Sequence, residues 1–337
     1  MDLDPTDEQR SITDVFGTVV ERECPLEQLR DHEPLGFSRH LWAQLVTVGA
    51  PGMAIPERDG GGGADLLDLS FAVEALGRRL APVPLVEHAV TARLLARVGA
   101  MTPEIVDGAQ IATVALRPAR DHVAALVPAG AVAEHVVAYD GDELSLVASP
   151  PGELIPNLAS APLAHRPLDR GARVLASGDD ARRLHGQAVD EWRMLTAAAL
   201  VGLGLGALTI GIGYVTEREQ FGVPIGSFQS LQHGLADVSV GLDGAQLLAR
   251  KAAWAHDVGH ADAVELGAMA FLFAAEQAQR TAERVLHYHG GYGFMEEYDI
   301  QLFYRRAKGW ANVLDEPRRE YARLADLRYG PTASSAV

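Results

Sequence analysis

The stretch TEREQFGVPIGSFQSLQH, residues 216–233, decides how the C-terminal half of this chain is read. The spacing before it predicts a long Ala/Leu-rich helix over Met194 to Glu217, ending at Arg218-Glu219-Gln220-Phe221-Gly222. The chain then turns through Pro224 and Gly226, and a second helix starts at Phe228 with Ser227 placed to cap it. A guanidinium fixed at a helix end beside an aromatic ring suits a pyrophosphate and a flat heterocycle, because arginine binds anionic oxygens through two N–H groups at once. A surface arginine in an ordinary helix-loop-helix turn has the same pattern, so the stretch alone leaves both readings open.

Outward from this turn, the chain from Asp190 onward is helical, with segments over Phe228 to Val258, Ala261 to Leu286 and Asp299 to Ala325. Long helices joined by short loops predict an antiparallel bundle. Between the last two lies HYHGGYGF, His287 to Phe294, a glycine loop flanked by rings rather than by the lysine of a phosphate-binding loop. Glycines let a ligand approach the backbone and leave N–H groups facing an anion. A plain glycine turn between two helices is the competing reading.

The first hundred residues are also helical in pattern, with Asp7 placed to cap a first helix and further helices at Leu41 to Val48 and Leu66 to Leu80. The run Gly60 to Gly63 has no preceding strand and no following Lys-Ser/Thr, and reads as a flexible entry to the helix that starts at Asp65. From Ala109 the texture changes to short β-branched runs at Ile111 to Leu116, Val123 to Val127, Val136 to Val137 and Leu144 to Val147, as in a small antiparallel unit. A proline-rich irregular stretch from Pro150 to Pro167 follows. The expected fold is mainly α with a small middle β domain: an N-terminal helical domain (1–108), a reduced antiparallel β domain (109–186), a C-terminal four-helix bundle (187–330) and a disordered tail (331–337).

Composition narrows the function. A formal charge of −16 argues against nucleic acid and anionic membranes as partners. The single cysteine, Cys24, fits a reducing compartment and reads as an apolar filler rather than a reactive thiol. The N-terminal MDLDPTDEQR lacks a basic n-region, and the longest apolar run, Leu195 to Ile212, is broken by glycines. The expectation is a cytoplasmic chain with neither signal peptide nor membrane span.

Taken in order, DEQR near the start, PGMAIPERDGGGG before a helix carrying Glu74 and Arg78, REQFGVPIGSFQ followed by HGLADV, and HYHGGYGF leading into YRRAK resemble the acyl-CoA dehydrogenase family over most of the chain. The resemblance implies a helical domain, a middle β domain and a C-terminal four-helix domain. It also implies desaturation of acyl-CoA thioesters with FAD, in which a carboxylate takes the α proton and hydride leaves the β carbon for the flavin. In the family the adenosine diphosphate end of FAD reaches the helical domain of a neighbouring subunit. By position this implicates Arg218, Gln220, Phe221, Gln229, Gly290 and Gly291, with His287 where the family usually has Gln.

Two departures refine this. The family's flavin-ring loop, approximately Thr-Glu-Pro-x-Ala-Gly-Ser-Asp, is replaced here by VALRPARDHVAALVPAG, and the Trp-Ile-Thr/Ser strand is missing. The two places where family members carry the base fall on Leu314 and Trp192, so no catalytic residue is assigned. The neighbouring carboxylates Asp190, Glu191, Asp315 and Glu316 read as solvated or helix-end charges. The resemblance therefore implies a shortened subunit of an actinobacterial heteromeric (α2β2) dehydrogenase, acting on bulky acyl-CoA of the steroid side-chain type. A longer homologue would supply ring site and base and bind most of the acyl-CoA, with an electron-transfer flavoprotein or similar acceptor. Two alternatives stay open: a self-sufficient dehydrogenase with Glu191 or Asp315 as a displaced base, and a flavin-free scaffold. His256 and His260 have i, i+4 spacing, but the intervening Asp-Val-Gly predicts a helix end rather than a metal pair. Arg305, Arg306 and Lys308 read as a solvated basic face, and Trp254 and Trp310 as core.

Overall fold

The computed structural model describes residues 4–168 and 171–330, so the tail 331–337 lies outside the described residues. Helix α1 (Asp7–Glu23) is capped by Thr6 rather than by Asp7. The Thr6 hydroxyl accepts from the Gln9 backbone while the Gln9 side chain accepts from the Thr6 N–H, a reciprocal box that Asp7, one residue inside, cannot make. The short α2 (Leu26–Leu29), α3 (Arg39–Thr47), α4 (Leu66–Arg78), α5 (Leu85–Arg97) and α6 (Pro103–Val106) complete the N-terminal helices. The glycine run before α4 is packed, not flexible. Gly62, Gly63 and Ala64 donate backbone hydrogen bonds to the Gly52, Ile55 and Met53 carbonyls, and a Cβ at Gly61 would collide with Ile55.

Among the described residues the middle region holds six strands: β1 (Ala112–Val114), β2 (Val123–Val127), β3 (His135–Asp140), β4 (Glu143–Ala148), β5 (Ala164–Pro167) and β6 (Ala172–Ser177). They form a four-stranded sheet in the order β1-β3-β4-β6 and a separate β2-β5 pair. The expected all-antiparallel arrangement is corrected at one place, since β1 runs parallel to β3. Strands β5 and β6 lie where the prolines predict irregular chain, with Pro167 tolerated as the last residue of β5. Arg166, buried on β5, gathers the surrounding loops: its Nη1 donates to the Gly130 and Ala133 carbonyls (2.9 and 2.7 Å) and its Nη2 to the Ser149 carbonyl and hydroxyl (2.8 and 2.6 Å).

The C-terminal helices are α7 (Gly178–Glu217), α8 (Gln229–Asp257), α9 (Ala263–Tyr288), α10 (Ile300–Ala311) and α11 (Pro317–Tyr329). Helix α7 begins sixteen residues before the Met194 start that its apolar pattern predicts, because its first turns, GDDARRLHGQ, are amphipathic and lie against the sheet. There His185 Nε2 bonds to the Ala115 carbonyl (2.7 Å). α7 is long and apolar enough to cross a membrane, yet two thirds of its most apolar window is buried in the protein (67%). One glycine on each helix explains that burial: a Cβ at Gly202 of α7 would strike the Glu74 carbonyl, and one at Gly77 of α4 the Ala199 carbonyl. α4 and α7 thus cross backbone against backbone.

Glu191 corrects a sequence reading. It is 0% exposed rather than solvated, and one carboxylate there joins three helices. Arg93 Nε from α5 reaches it at 3.1 Å, Arg97 also binds it, and His256 Nε2 from α8 lies 3.1 Å away. Asp257, beside His256, accepts from the Leu66 and Leu67 N–H groups at the start of α4 (3.0 and 2.9 Å). Burial works to raise the Glu191 pKa, but the His256 hydrogen bond and the charges of Arg93 and Arg97 prevail and hold it at about 2. Burial works to lower His256, while hydrogen bonds to Asp257 and Glu191 and the Glu191 charge raise it to about 9. Arg306 is likewise no solvated cation. It is 2% exposed and shares Glu33 with Arg305. Trp254 and Trp310 are partly rather than fully buried.

Replacing Glu191 by Ala strands three cationic partners and should cost about 3 kcal/mol of folding free energy, read from the shift in a urea midpoint. His256 binds its proton more tightly folded than unfolded, so its contribution is complete below about pH 6.5 and lost as pH rises through about 9. Denaturant curves between pH 6 and 10 should show that loss in the native chain and not in His256→Gln.

Candidate functional site

The turn after α7 is a two-stranded hairpin, β7 (Glu219–Gln220) and β8 (Val223–Pro224). Its two tip residues, Phe221 and Gly222, both have positive φ (57° and 80°), the primed turn that joins tightly paired strands. A phenylalanine there is strained, and its ring is 94% exposed at the tip. The Ile225 N–H closes the hairpin on the Arg218 carbonyl (2.8 Å). Ser227 does not cap α8: its hydroxyl donates to the Pro224 carbonyl instead, and Phe228 occupies the cap position.

The HYHGGYGF stretch is not an open loop. α9 runs on through Tyr288, and Gly290–Phe294 form one 3₁₀ turn. Gly290 has φ +58°, which favours glycine, and a Cβ at Gly290 or Gly291 would meet nothing within 4 Å. The pair is bare toward open space. Gly293 is the packed glycine, its hydrogen facing the Leu286 carbonyl.

A relay of rings joins the two segments. Tyr214 on α7 stacks on His289 (centroids 3.9 Å), His289 meets the Tyr298 ring edge-on at 6.2 Å, and Tyr298 stacks on Tyr292 at 5.2 Å. The Arg218 guanidinium lies 5.8 Å over Tyr292. His289 is buried, burial lowers its pKa, and its Nδ1 bonds to the Val285 carbonyl, so it serves as a neutral packing group. His287, two residues earlier, faces solvent.

Two adjoining open depressions lie here. One, of about 590 Å³, is lined by Gln220, Phe221, Phe228, Arg284, His287 and Tyr288. The other, of about 680 Å³, is lined by Arg280, Arg284, His287, Gly290, Gly291 and Phe294. The structure thus brings together Gln220, Phe221, His287, Gly290 and Gly291, with Arg218 on the adjacent ring face. Gln229 is exposed at the first residue of α8, outside both linings. Sequence reasoning missed Arg280 and Arg284, which with His287 share one face of α9 at i, i+4, i+7 spacing; that spacing was the available signal. Gly234 on α8 makes room for Arg284 and Tyr288, since a Cβ there would collide with both. Among the described residues, Arg218, Arg280 and Arg284 have no ion-pair partner. Unpaired guanidiniums, bare glycines and exposed rings together suit an anionic, aromatic ligand.

The two positions where a base would be sought are filled by core. Leu314 and Trp192 are 4% and 2% exposed. Trp192 donates through Nε1 to the Glu87 carboxyl (3.1 Å) beside a partly open, mostly apolar pocket of about 110 Å³. Asp315 lies at the surface with Arg319 at 3.0 Å, and Asp190 is tied to Arg193 and Arg323 (2.8 and 2.7 Å). His256 and His260 are not a metal pair. The first binds Glu191, and no metal-holding cluster of His, Cys, Asp and Glu occurs among the described residues.

Family models for the acyl-CoA dehydrogenase N-terminal and C-terminal domains match residues 6–102 and 183–311. The chain belongs to the acyl-CoA dehydrogenase family, FAD-binding oxidoreductases with this mostly helical fold. It is 32% identical to acyl-CoA dehydrogenase IpdE2 of Mycolicibacterium smegmatis, over 95% of this chain and 98% of that protein. Among solved structures it resembles a chain of the ChsE4-ChsE5 complex from Mycobacterium tuberculosis at 27% identity and TM-score 0.86, covering 98% of this chain and 100% of that one. A chain of the steroid acyl-CoA dehydrogenase Tcur3481-Tcur3483 is similar at 28% identity and TM-score 0.85, with 96% and 98% covered.

Gly234→Ala should push the side-chain ends of Arg284 and Tyr288 away from α8 at little cost, because the helix gain of about 1 kcal/mol for alanine offsets the shift, so the denaturation midpoint should stay within about 1 kcal/mol of the native chain. Gly291→Ala, with open space around it, should leave that midpoint unchanged.

Proposed function

We propose that this chain is the non-catalytic subunit of a heteromeric FAD-dependent acyl-CoA dehydrogenase that introduces an α,β double bond into a bulky acyl-CoA of the steroid side-chain type. The observation that carries the reading is a contrast within one chain. A cationic, glycine-bare and ring-lined surface is intact at one end, while both positions for a base are packed with Leu314 and Trp192.

The residues fit one end of FAD. Arg218, Arg280 and Arg284 offer unpaired charge for a pyrophosphate, His287 and Gln220 offer hydrogen bonds, and Phe221 offers a face to the adenine. The ring end does not fit as well. The family's flavin-ring loop is replaced by VALRPARDHVAALVPAG, and its Trp-Ile-Thr/Ser strand is missing. A longer homologue in an α2β2 assembly would seat the ring, carry the base and hold most of the acyl-CoA; the similar ChsE4-ChsE5 structure, a complex of two components, supports the two-chain part of this reading. FAD, when bound, accepts the hydride that leaves the β carbon as the base takes the α proton. This chain's part is to hold the pyrophosphate and adenine so that the ring is fixed. An electron-transfer flavoprotein or similar acceptor would then reoxidise the flavin, in the cytoplasm. The self-sufficient alternative finds little support. Glu191 has its oxygens engaged by two arginines and a histidine, and a pKa of about 2 makes it a poor proton acceptor.

Co-expressed with the longer homologue, the complex should contain one FAD per heterodimer, and this chain alone should be colourless. Arg218→Ala in the complex should lose flavin without loss of assembly, measured by absorbance at constant oligomer mass. Full flavin retention and activity would overturn the assignment. Asp315→Asn should leave the rate of dye reduction within about twofold, whereas loss of a true base would lower it by roughly a thousandfold or more.

A further inference from the structure

A second cationic pocket lies on the N-terminal helices and shares no residue with the surface around Arg218. It is an open pocket of about 210 Å³ between the end of α5 and the 54–64 loop, and Arg58, Arg93 and Arg97 line it with small residues between them. No carboxylate is in its lining, although the whole chain carries a formal charge of −16.

The three arginines differ in how much of each is already used. Arg93 is spent: Nε and Nη2 donate to Glu191 (3.1 and 3.4 Å), and Nη1 donates to the Ala54 carbonyl (3.3 Å), which ties the loop to α5. Arg97 gives only Nη2 to Glu191, a carboxylate it shares with Arg93 and His256. Its Nε and Nη1 make no hydrogen bond to any described residue, and its side chain is 29% exposed. Arg58 is 76% exposed, and its one ionic neighbour, Asp59, lies 3.5 Å from Nε. Both of its Nη groups are free among the described residues.

The walls that carry these free groups are fixed. Glu57–Asp59 form one 3₁₀ turn, closed by the Asp59 and Gly60 N–H groups on the Pro56 and Glu57 carbonyls (2.9 and 3.0 Å). The glycines that follow are held by the Gly52, Ile55 and Met53 carbonyls. A ligand here would therefore have to order little besides the Arg58 side chain, and a fixed site loses less entropy on binding.

We propose that this pocket binds a phosphate monoester, whose oxygens accept N–H groups from Arg97 and Arg58 together. Guanidiniums on two walls call for an anion with acceptors on several sides, which a tetrahedral phosphate has and a planar carboxylate does not. A phosphate group also brings about −1.5 to −2 charges at neutral pH against one for a carboxylate. The opening to solvent leaves the ester group room to project.

The probes are methyl phosphate, inorganic phosphate and acetate, titrated by calorimetry at constant low ionic strength into the full-length chain with Arg218, Arg280 and Arg284 replaced by Ala. That background removes the other unpaired guanidiniums, so the outcome is separate from that of the shared-cofactor reading. Methyl phosphate and inorganic phosphate should both saturate with Kd about 1 mM, and acetate should bind at least about fivefold more weakly. Arg58→Glu, at an exposed position, should remove phosphate binding up to about 10 mM, whereas Arg10→Glu on α1, which makes the same change in net charge, should leave it unaltered. Undiminished binding in Arg58→Glu, equal loss in Arg10→Glu, acetate as tight as phosphate, methyl phosphate far weaker than inorganic phosphate, or no saturation by about 10 mM would each overturn the proposal.

Discussion

One carboxylate, Glu191, holds the molecule's frame. It sits on α7 at full burial and is met from α5 by two guanidiniums and from α8 by an imidazole. An isolated carboxylate at that depth would be strongly disfavoured, and three donors make it tolerable by leaving it charged and saturated. The same turn of α8 places Asp257 on the N-terminus of α4, where an anion is favoured by the open N–H groups. The N-terminal helices and the C-terminal bundle are thereby fastened around one point. The glycine crossing of α4 over α7 needs that fastening, because backbones in contact have no side chains with which to interlock.

Given this frame, the two ends of α7 have taken different roles. Toward its beginning the helix supports the sheet through His185 and presents Trp192, Thr196 and Ala199 to the partly open apolar pocket. At its end it presents Tyr214 and Arg218 to the ring relay and the exposed hairpin. The Trp192 to Thr196 turn is packed and apolar; the far end is exposed and charged. Leu314 and Trp192 stand in the core where a proton acceptor would need access to a substrate, and the unpaired arginines stand where a phosphate would need access to charge.

Much of this was legible in the sequence for a simple reason. Long apolar helices declare themselves by periodicity, and RExFG-like turns and glycine pairs declare themselves by residue types that a bland helix-loop-helix does not need. Interactions between distant residues were not legible. Glu191 meets partners 98 and 94 positions earlier, and a lone Asp-Glu pair in a sequence looks the same whether it faces water or three cations. The start of α7 was missed because its first turns are polar on one face and carry no apolar run. The glycines at 60–63 looked loose because nothing local shows that Ile55 and Met53 fold back on them. Arg166 gave a signal only as a charge, and what distinguishes it is a cage of carbonyls; Arg284 showed its helical spacing to Arg280 and His287, but not the glycine on another helix that makes room for it.

Cys24, the only cysteine in the chain, lies in the core at 4% exposure, where burial raises its thiol to about 11. At neutral pH it is protonated and shielded from solvent, and so silent toward alkylating reagents. A thiol introduced anywhere on the surface would therefore be the single reactive one. The native sequence already provides a background-free scaffold for attaching a spin label or a fluorophore, and distances from the exposed hairpin to a companion subunit could be measured without first removing any residue.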